Sequence, residues 1–363
     1  MKKVTIAISS LYGGGAERVS SIWANELSRQ GCHVSIVVMY REKDEYLVDD
    51  GIKIYAVAST KSDYLKKSKI NRILSLRRII RALHTECIIS FLPNMQIITW
   101  ASCIGLRLKR IETVRNNPQK IKFSSKLEKI IWILILLSAN IVLTQNEEQK
   151  AMLPKRIQRK SKVIFNPINE CFIQDESKKF IAPITSFVAA GRITQQKNYE
   201  LLINAFNKAK VIKPDIKLDI FGVGDENYFQ HLRGMVKKLN CDTSISFKGR
   251  SNNLSSEYAK YQAYILSSNF EGMPNALAEA MVSRLICIST DCPTGPSELI
   301  ENGENGYLVS VSNEDELAKT IIDVANLSIQ DQERITRNAH NSVLKKCGKE
   351  VIIHNLIEIL NFD

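Results

Sequence analysis

The sequence predicts an α/β protein built from two doubly wound domains. A strand, glycine turn and helix succeed one another at Val4–Ser9 with Gly13–Gly15, and again at Ser186–Ala190 with Gly191. The 363 residues suit two domains of ordinary size, each able to bury a core. The polar stretch Glu170–Ala182, with Asp175-Glu176-Ser177-Lys178-Lys179 inside it, reads as the linker. The expected division is 1–168, then 169–345, with a terminal helix over 346–363 that returns to the first domain.

Composition narrows the function classes. At 44% hydrophobic and 24% charged, the chain matches a soluble globular protein. No apolar run reaches the ~18–20 residues of a membrane span. The N-terminus runs straight into a strand, so no signal peptide is expected and the location expected is cytoplasmic. Eight cysteines without a C-x2-C pair imply reduced thiols and no zinc site. Charge is uneven. Residues 1–170 carry 29 Lys and Arg against 14 Asp and Glu, and the remainder 21 against 24. A basic first half points to an anionic surface.

In chain order, Val4–Ser9 is a buried strand, a helix runs from the glycine turn to about Gln30, and Val34–Met39 is the second strand. The turn Gly13-Gly14-Gly15 is neither G-x-G-x-x-G nor a Walker loop, so NAD and P-loop chemistry are not indicated. Residues 61–83 hold Lys66, Lys67, Lys69, Arg77, Arg78 and Arg81, with Ile73, Leu76 and Ile80 at helical spacing. This predicts one helix with its cations outward, either simply solvated or set against an anionic membrane, where each cation is worth roughly 1 kcal/mol.

Strands over 87–92 and 111–114 place Asn94, Arg115 and Asn117 at carboxyl ends, where doubly wound sheets bind ligands. These three are candidates for acceptor or sugar contacts. The run Ile130–Leu137 is too short to span a bilayer and reads as a buried helix, or else a shallow insertion with a basic collar. Val163–Ile168 is the expected last strand of the first domain.

The second half repeats the pattern. After Ser186–Ala190 comes Gly191-Arg192, then Lys197 before a helix over 199–210, a combination suited to clamping a diphosphate. Lys217–Phe221 ends in Gly222-Val223-Gly224, and another strand ends in Gly249-Arg250. The strand Ala263–Leu266 leads into Ser267-Ser268-Asn269-Phe270-Glu271-Gly272-Met273-Pro274-Asn275-Ala276-Leu277-Ala278-Glu279. Gly272 admits a close backbone approach, and Pro274 begins a helix whose open N-terminus suits a phosphate. Glu271 and Glu279 are too widely spaced for the carboxylate pair of a glycoside hydrolase, roughly 5–9.5 Å apart. Taken alone they admit a plainer reading, a capping acid and a solvent-facing glutamate.

The string Ser-x-x-Phe-Glu-Gly-Met-Pro-Asn-Ala-Leu-Ala-Glu-Ala-Met resembles the donor-site signature of glycosyltransferase family 4, as Gly-Gly-Ala-Glu-Arg-Val does its first turn. The resemblance implies the GT-B fold, two Rossmann-like domains facing each other across a cleft, and a retaining transferase using a nucleotide sugar. It implies that Glu279 holds the ribose, that Gly272, Met273, Pro274 and Asn275 offer backbone N–H groups to phosphates and sugar, and that Glu271 contacts the sugar hydroxyls. Arg192 and Lys197 would neutralise the leaving diphosphate, Gly249 and Arg250 lie by the base, Gly191 and Gly222 line the site, and Gly14 and Gly15 face the donor. Two departures stand out: no histidine matches the family's sugar-contacting one in the first domain, and Ser283-Arg284 occupy a turn that usually holds glycine.

With no Asp-x-Asp present, the expectation is catalysis without a divalent metal or other cofactor. The likeness to bacterial surface-polysaccharide enzymes implies a UDP-linked hexose or N-acetylhexosamine donor, a lipid-linked or lipopolysaccharide-type saccharide acceptor, and a peripheral place on the inner membrane face. An epimerase or hydrolase of the same fold would need acid/base groups at the sugar, and no such cluster is evident. A nucleic-acid or anionic-surface binding module is disfavoured because aromatics do not interleave the basic stretch.

Overall fold

The computed structural model describes residues 2–174 and 180–361; the charged centre of the expected linker, 175–179, lies outside them. Contacts divide the chain into one unit of Met1–Pro167 with Glu350–Asp363, and a second of Ile168–Lys349.

The first unit is a seven-stranded parallel sheet: β1 (Lys3–Ile8), β2 (His33–Val38), β3 (Lys53–Ala56), β4 (Cys87–Phe91), β5 (Lys109–Thr113), β6 (Ile141–Thr144) and β7 (Ser161–Val163), in the order β3-β2-β1-β4-β5-β6-β7. Its helices include α1 (Gly15–Arg29), α2 (Lys61–Lys66), α3 (Lys69–Ala82), α4 (Pro93–Cys103) and α5 (Lys126–Ser138). Apolar runs at β1, β2 and β4 are buried on both faces, as a helix-covered parallel sheet requires. The terminal helix Lys349–Asn361 puts Ile352, Ile353, Leu356, Ile359 and Leu360 into the same core as β1 and β4. Lys2 donates to the Leu360 carbonyl at 2.6 Å and Lys109 to that of Ile359 at 3.1 Å, cations on the negative end of a helix.

The structure corrects several sequence expectations here. The basic helix over 61–83 is two helices, because Ser68 is extended and caps α3 by accepting from the Asn71 N–H. The last strand ends at Val163, not Ile168; Ile164 still donates to the Thr144 carbonyl, but the chain then leaves the sheet. The strand β3 has no counterpart in the sequence reading.

The second unit is a six-stranded parallel sheet: β8 (Ser186–Ala190), β9 (Lys217–Phe221), β10 (Ile245–Gly249), β11 (Ala263–Leu266), β12 (Ile286–Thr290) and β13 (Tyr307–Val309), ordered β10-β9-β8-β11-β12-β13. Between β8 and β11 the winding reverses, the point at which doubly wound sheets bind ligands outside the carboxyl ends of their strands. Helices α6 (Tyr199–Ile212) and α7 (Asn275–Val282) leave from that point. Arg284, in the turn after α7, takes φ 55° where glycine would be unstrained, a cost of about 1 kcal/mol.

Glu112 on β5 is fully buried, and that burial lifts its carboxyl to about 7, against the pull of Arg110 at 3.7 Å. The unfolded chain ionises this group near 4.5. Its folded-state pKa is therefore raised, so its contribution to stability falls as pH climbs from about 4.5 to about 7. Glu112→Gln is expected to stabilise the protein on the order of 2 kcal/mol at pH 8 and hardly at all at pH 4.5, measured by denaturant titration.

Candidate active site

The loops leaving β8, β11 and β12 form one hydrogen-bonded network. Asn198 is left-handed at φ 46°, caps α6, and donates to Asn269 Oδ1 at 3.0 Å. Gln196 Nε2 donates to the Phe270 carbonyl, the Asn269 N–H donates to the Gln196 carbonyl, and Ser267 Oγ to that of Lys197. These bonds bring Lys197, 74 residues away in sequence, to Glu271: Nζ lies 2.7 Å from Oε1, and Ser268 Oγ donates to the same oxygen at 2.6 Å. The β12 loop holds the other side. Thr294 Oγ1 donates to the carbonyls of Glu271 and Gly272, and the Glu271 N–H to that of Pro293.

Glycine is required on the neighbouring strand end. A Cβ on Gly222 would run into the Gly191 carbonyl, and one on Gly224 into that of Ile193. The β8 and β9 loops therefore touch backbone to backbone. Gly249, at φ 70°, closes β10 by accepting from the Gly222 N–H at 2.8 Å.

The helix α7 starts at Asn275, with Pro274 before it and no side chain capping its first turn. The Asn275 N–H donates to the Met273 carbonyl and the Leu277 and Ala278 N–H groups to that of Pro274, so it is the positive end of the helix dipole that this turn presents to an anion. Glu271 precedes the helix, and Glu279 lies in its second turn; they are 6% and 4% exposed, so neither is a solvated surface acid. That excludes the plainer reading of Glu279 as solvent-facing. Gly272, Met273 and Pro274 are buried, and Asn275 half-buried. Arg192 and Arg250 are exposed. Burial and the Glu271 carboxylate push the Cys292 thiol up to about 12, away from the thiolate form.

In the first unit, Gly14 caps α1, Gly15 opens it, and Gly13 is left-handed. Asn94 is exposed in the first turn of α4. Arg115 is used internally. Its guanidinium stacks 4.5 Å from the Trp23 ring and 4.7 Å from that of Phe91, and Nη1 donates to Asn166 Oδ1 at 2.8 Å. Burial lowers its pKa to about 9. Asn117 is buried, its Oδ1 accepting from the Gln119 N–H. Of the three residues expected at this edge, Asn94 alone turns an exposed side chain outward.

Sequence reasoning missed Ser268, Gln196, Asn198 and Thr294. Ser268 and Asn198 each adjoin or neighbour a named candidate, but their partners come from other strand ends, which no local pattern reveals.

Comparison with known proteins follows the same lines. Residues 175–342 match the family model for glycosyl transferases group 1. Over the whole chain, the fold resembles that of S. aureus TarM, solved with UDP, at a TM-score of 0.82 with 14% identity, covering 100% of both chains. An alpha-1,4-N-acetyl-D-galactosaminyltransferase of Campylobacter jejuni is 26% identical over 98% of this chain and 96% of its own. The chain is a glycosyltransferase. A second Campylobacter jejuni relative, named N-acetylgalactosamine-N,N'-diacetylbacillosaminyl-diphospho-undecaprenol 4-alpha-N-acetylgalactosaminyltransferase, is 28% identical over 87% of this chain and 88% of that one. The glycosyltransferase has the GT-B fold, and its family match covers the unit that holds the Lys197–Glu271 network.

Proposed function

We propose that this enzyme is a retaining glycosyltransferase of family 4. It moves a hexose or N-acetylhexosamine from a UDP-sugar to a lipid-linked saccharide at the inner membrane face, in bacterial O-antigen, capsule or exopolysaccharide synthesis. The observation that carries the reading is the Lys197–Glu271–Ser268 network beside the uncapped start of α7. Cleavage of the anomeric C–O bond leaves the electron pair, and negative charge, on the diphosphate. A fixed helix N-terminus with Lys197 and Arg192 stabilises that charge as it develops, and needs no reorganisation to do so. Glu279 holds the ribose hydroxyls, the backbone of Gly272–Asn275 the phosphates and sugar, and Glu271 the sugar hydroxyls. Gly191, Gly222, Gly249 and Arg250 border the nucleotide, and in the first unit Asn94, Arg115 and Asn117 meet the acceptor or its sugar. Retention requires the acceptor oxygen to bond on the face the diphosphate leaves, where a departing phosphate oxygen can take its proton.

Two Campylobacter jejuni relatives named for undecaprenol-linked acceptors support a lipid-linked substrate and make UDP-N-acetylgalactosamine the first donor to test. The basic first unit supports approach to an anionic membrane. Transfer is assayed with UDP-sugars and a polyprenyl-diphosphate oligosaccharide, with the product's anomeric configuration read by NMR. An α-linked product and a rate that survives EDTA are expected. A β-linked product, or a rate lost to EDTA and restored by Mn²⁺, contradicts the corresponding part of the proposal.

A further inference from the structure

The helix α5 is apolar on two opposite faces. Trp132, Ile135 and Leu136 are buried, and the Trp132 indole N–H donates to Gln96 Oε1 at 2.7 Å, fixing that side against α4. At about 100° per residue, Leu127, Ile130, Leu134 and Leu137 fall within about 80° of one another on the far side. They are 64%, 56%, 55% and 36% exposed. The sequence reading of this segment as a buried helix therefore holds for one face only. A surface helix of a globular protein normally shows water its polar face.

The exposure continues on neighbouring elements. Leu65 on α2 and Ile70 and Leu74 on α3 are 63%, 69% and 43% exposed. A groove of about 560 Å³, lined by Leu65, Lys69, Arg72, Leu127 and Ile131, joins α2, α3 and α5. Leu65 and Leu127 thus border the same groove, and the outer stripe of α5 runs on from Leu127.

Charge identifies what covers it. Lys66, Lys69 and Arg78 on the α2–α3 side, and Lys126 and Lys129 on the α5 side, are exposed, and Lys67 is half-buried. The acids there are already engaged: Glu128 accepts from the Ser124 N–H, and Asp63 from Thr60. A second copy packed on this face would bring lysines against lysines. An anionic bilayer surface offers acyl chains to the leucines and phosphates to the ammonium groups, whose stems reach back along the apolar edge.

We propose that this face docks into an anionic membrane, with the outer stripe of α5 inserted at the acyl boundary. It rests on the membrane-acceptor reading above and goes beyond it, because charge alone is not the anchor. At 13 residues α5 is about 20 Å long and lies in the interface; no described helix is long and apolar enough to cross a membrane.

The test is co-sedimentation with phosphatidylcholine vesicles containing phosphatidylglycerol. Binding is expected to persist in about 1 M salt, where the Debye length falls to about 3 Å. The triple variant L127S/I130S/L134S, changed only at exposed positions, is expected to bind at least about thirtyfold more weakly. A tryptophan at position 134 (Leu134→Trp) should shift to the blue on vesicles and be quenched by brominated acyl chains. Binding abolished by salt and indifferent to the triple substitution overturns the inference. So does self-association of the unsubstituted protein that the triple substitution removes. Transfer to a short, water-soluble acceptor is measured in parallel. Its presence without vesicle binding overturns the membrane inference and leaves the transferase reading intact; its absence with vesicle binding counts against the transferase reading alone.

Discussion

Lys197→Met is expected to lower the transfer rate about a hundred- to a thousandfold, the effect of removing one preorganised group from a developing anion. It should also destabilise the second unit. Lys197 and Glu271 side chains are 15% and 7% exposed, and the variant leaves a shielded carboxylate held by the Ser268 hydroxyl without the ammonium charge. Breaking such a pair from one side costs about 3 kcal/mol. Glu271→Gln keeps the shape and a Ser268 contact, so its stability loss should be smaller while transfer falls comparably. The double variant separates the two roles. Stability should recover relative to Lys197→Met, because no unmatched charge remains, but transfer should not. Denaturant titration and initial rates read the two quantities independently. A Lys197→Met enzyme with undiminished transfer contradicts the assignment.

Glu279→Ala is expected to weaken nucleotide binding about ten- to a hundredfold, since a charge-assisted bond contributes about 1.5–3 kcal/mol. Glu279 is 4% exposed on a helix otherwise made of small and apolar residues, so the carboxylate sits where desolvation makes its bonds count. Glu279→Gln keeps the packing and one hydrogen-bonding oxygen; a tenfold loss is expected from removal of the charge. Calorimetric titration with UDP distinguishes these values. Unchanged affinity in both variants removes Glu279 from the nucleotide site.

Much of this arrangement was legible before any coordinates. The glycine turns after β1, β8 and β9 mark strand ends, and Gly272 with Pro274 marks the start of α7, because these residues have backbone consequences that sequence displays directly. Long-range pairing is another matter. Nothing local says that Lys197 meets Glu271, since the contact depends on β8 and β11 being neighbours across the reversal in strand order. The same holds for the surroundings of Arg115: its place after β5 does not reveal that two aromatic rings and Asn166 from other elements pack against it. Apolar periodicity failed at α5 for a related reason: it reports which residues avoid water, not whether protein or something else covers them. The break at Ser68 was missed because the apolar positions that set the spacing, Ile73, Leu76 and Ile80, all lie after it and say nothing of residues 61–67.

The most direct test of the central claim, that the second unit holds a nucleotide sugar on the loops after β8, β11 and β12, is thermal stabilisation by UDP, GDP, ADP, NAD and their UDP-sugar counterparts. At a hundred times its Kd a ligand adds about 2.7 kcal/mol, roughly 5–10 °C for a domain of this size. The account predicts a shift with UDP and UDP-sugars that is lost in Glu279→Ala. No shift with any nucleotide, or one that Glu279→Ala leaves unchanged, contradicts it.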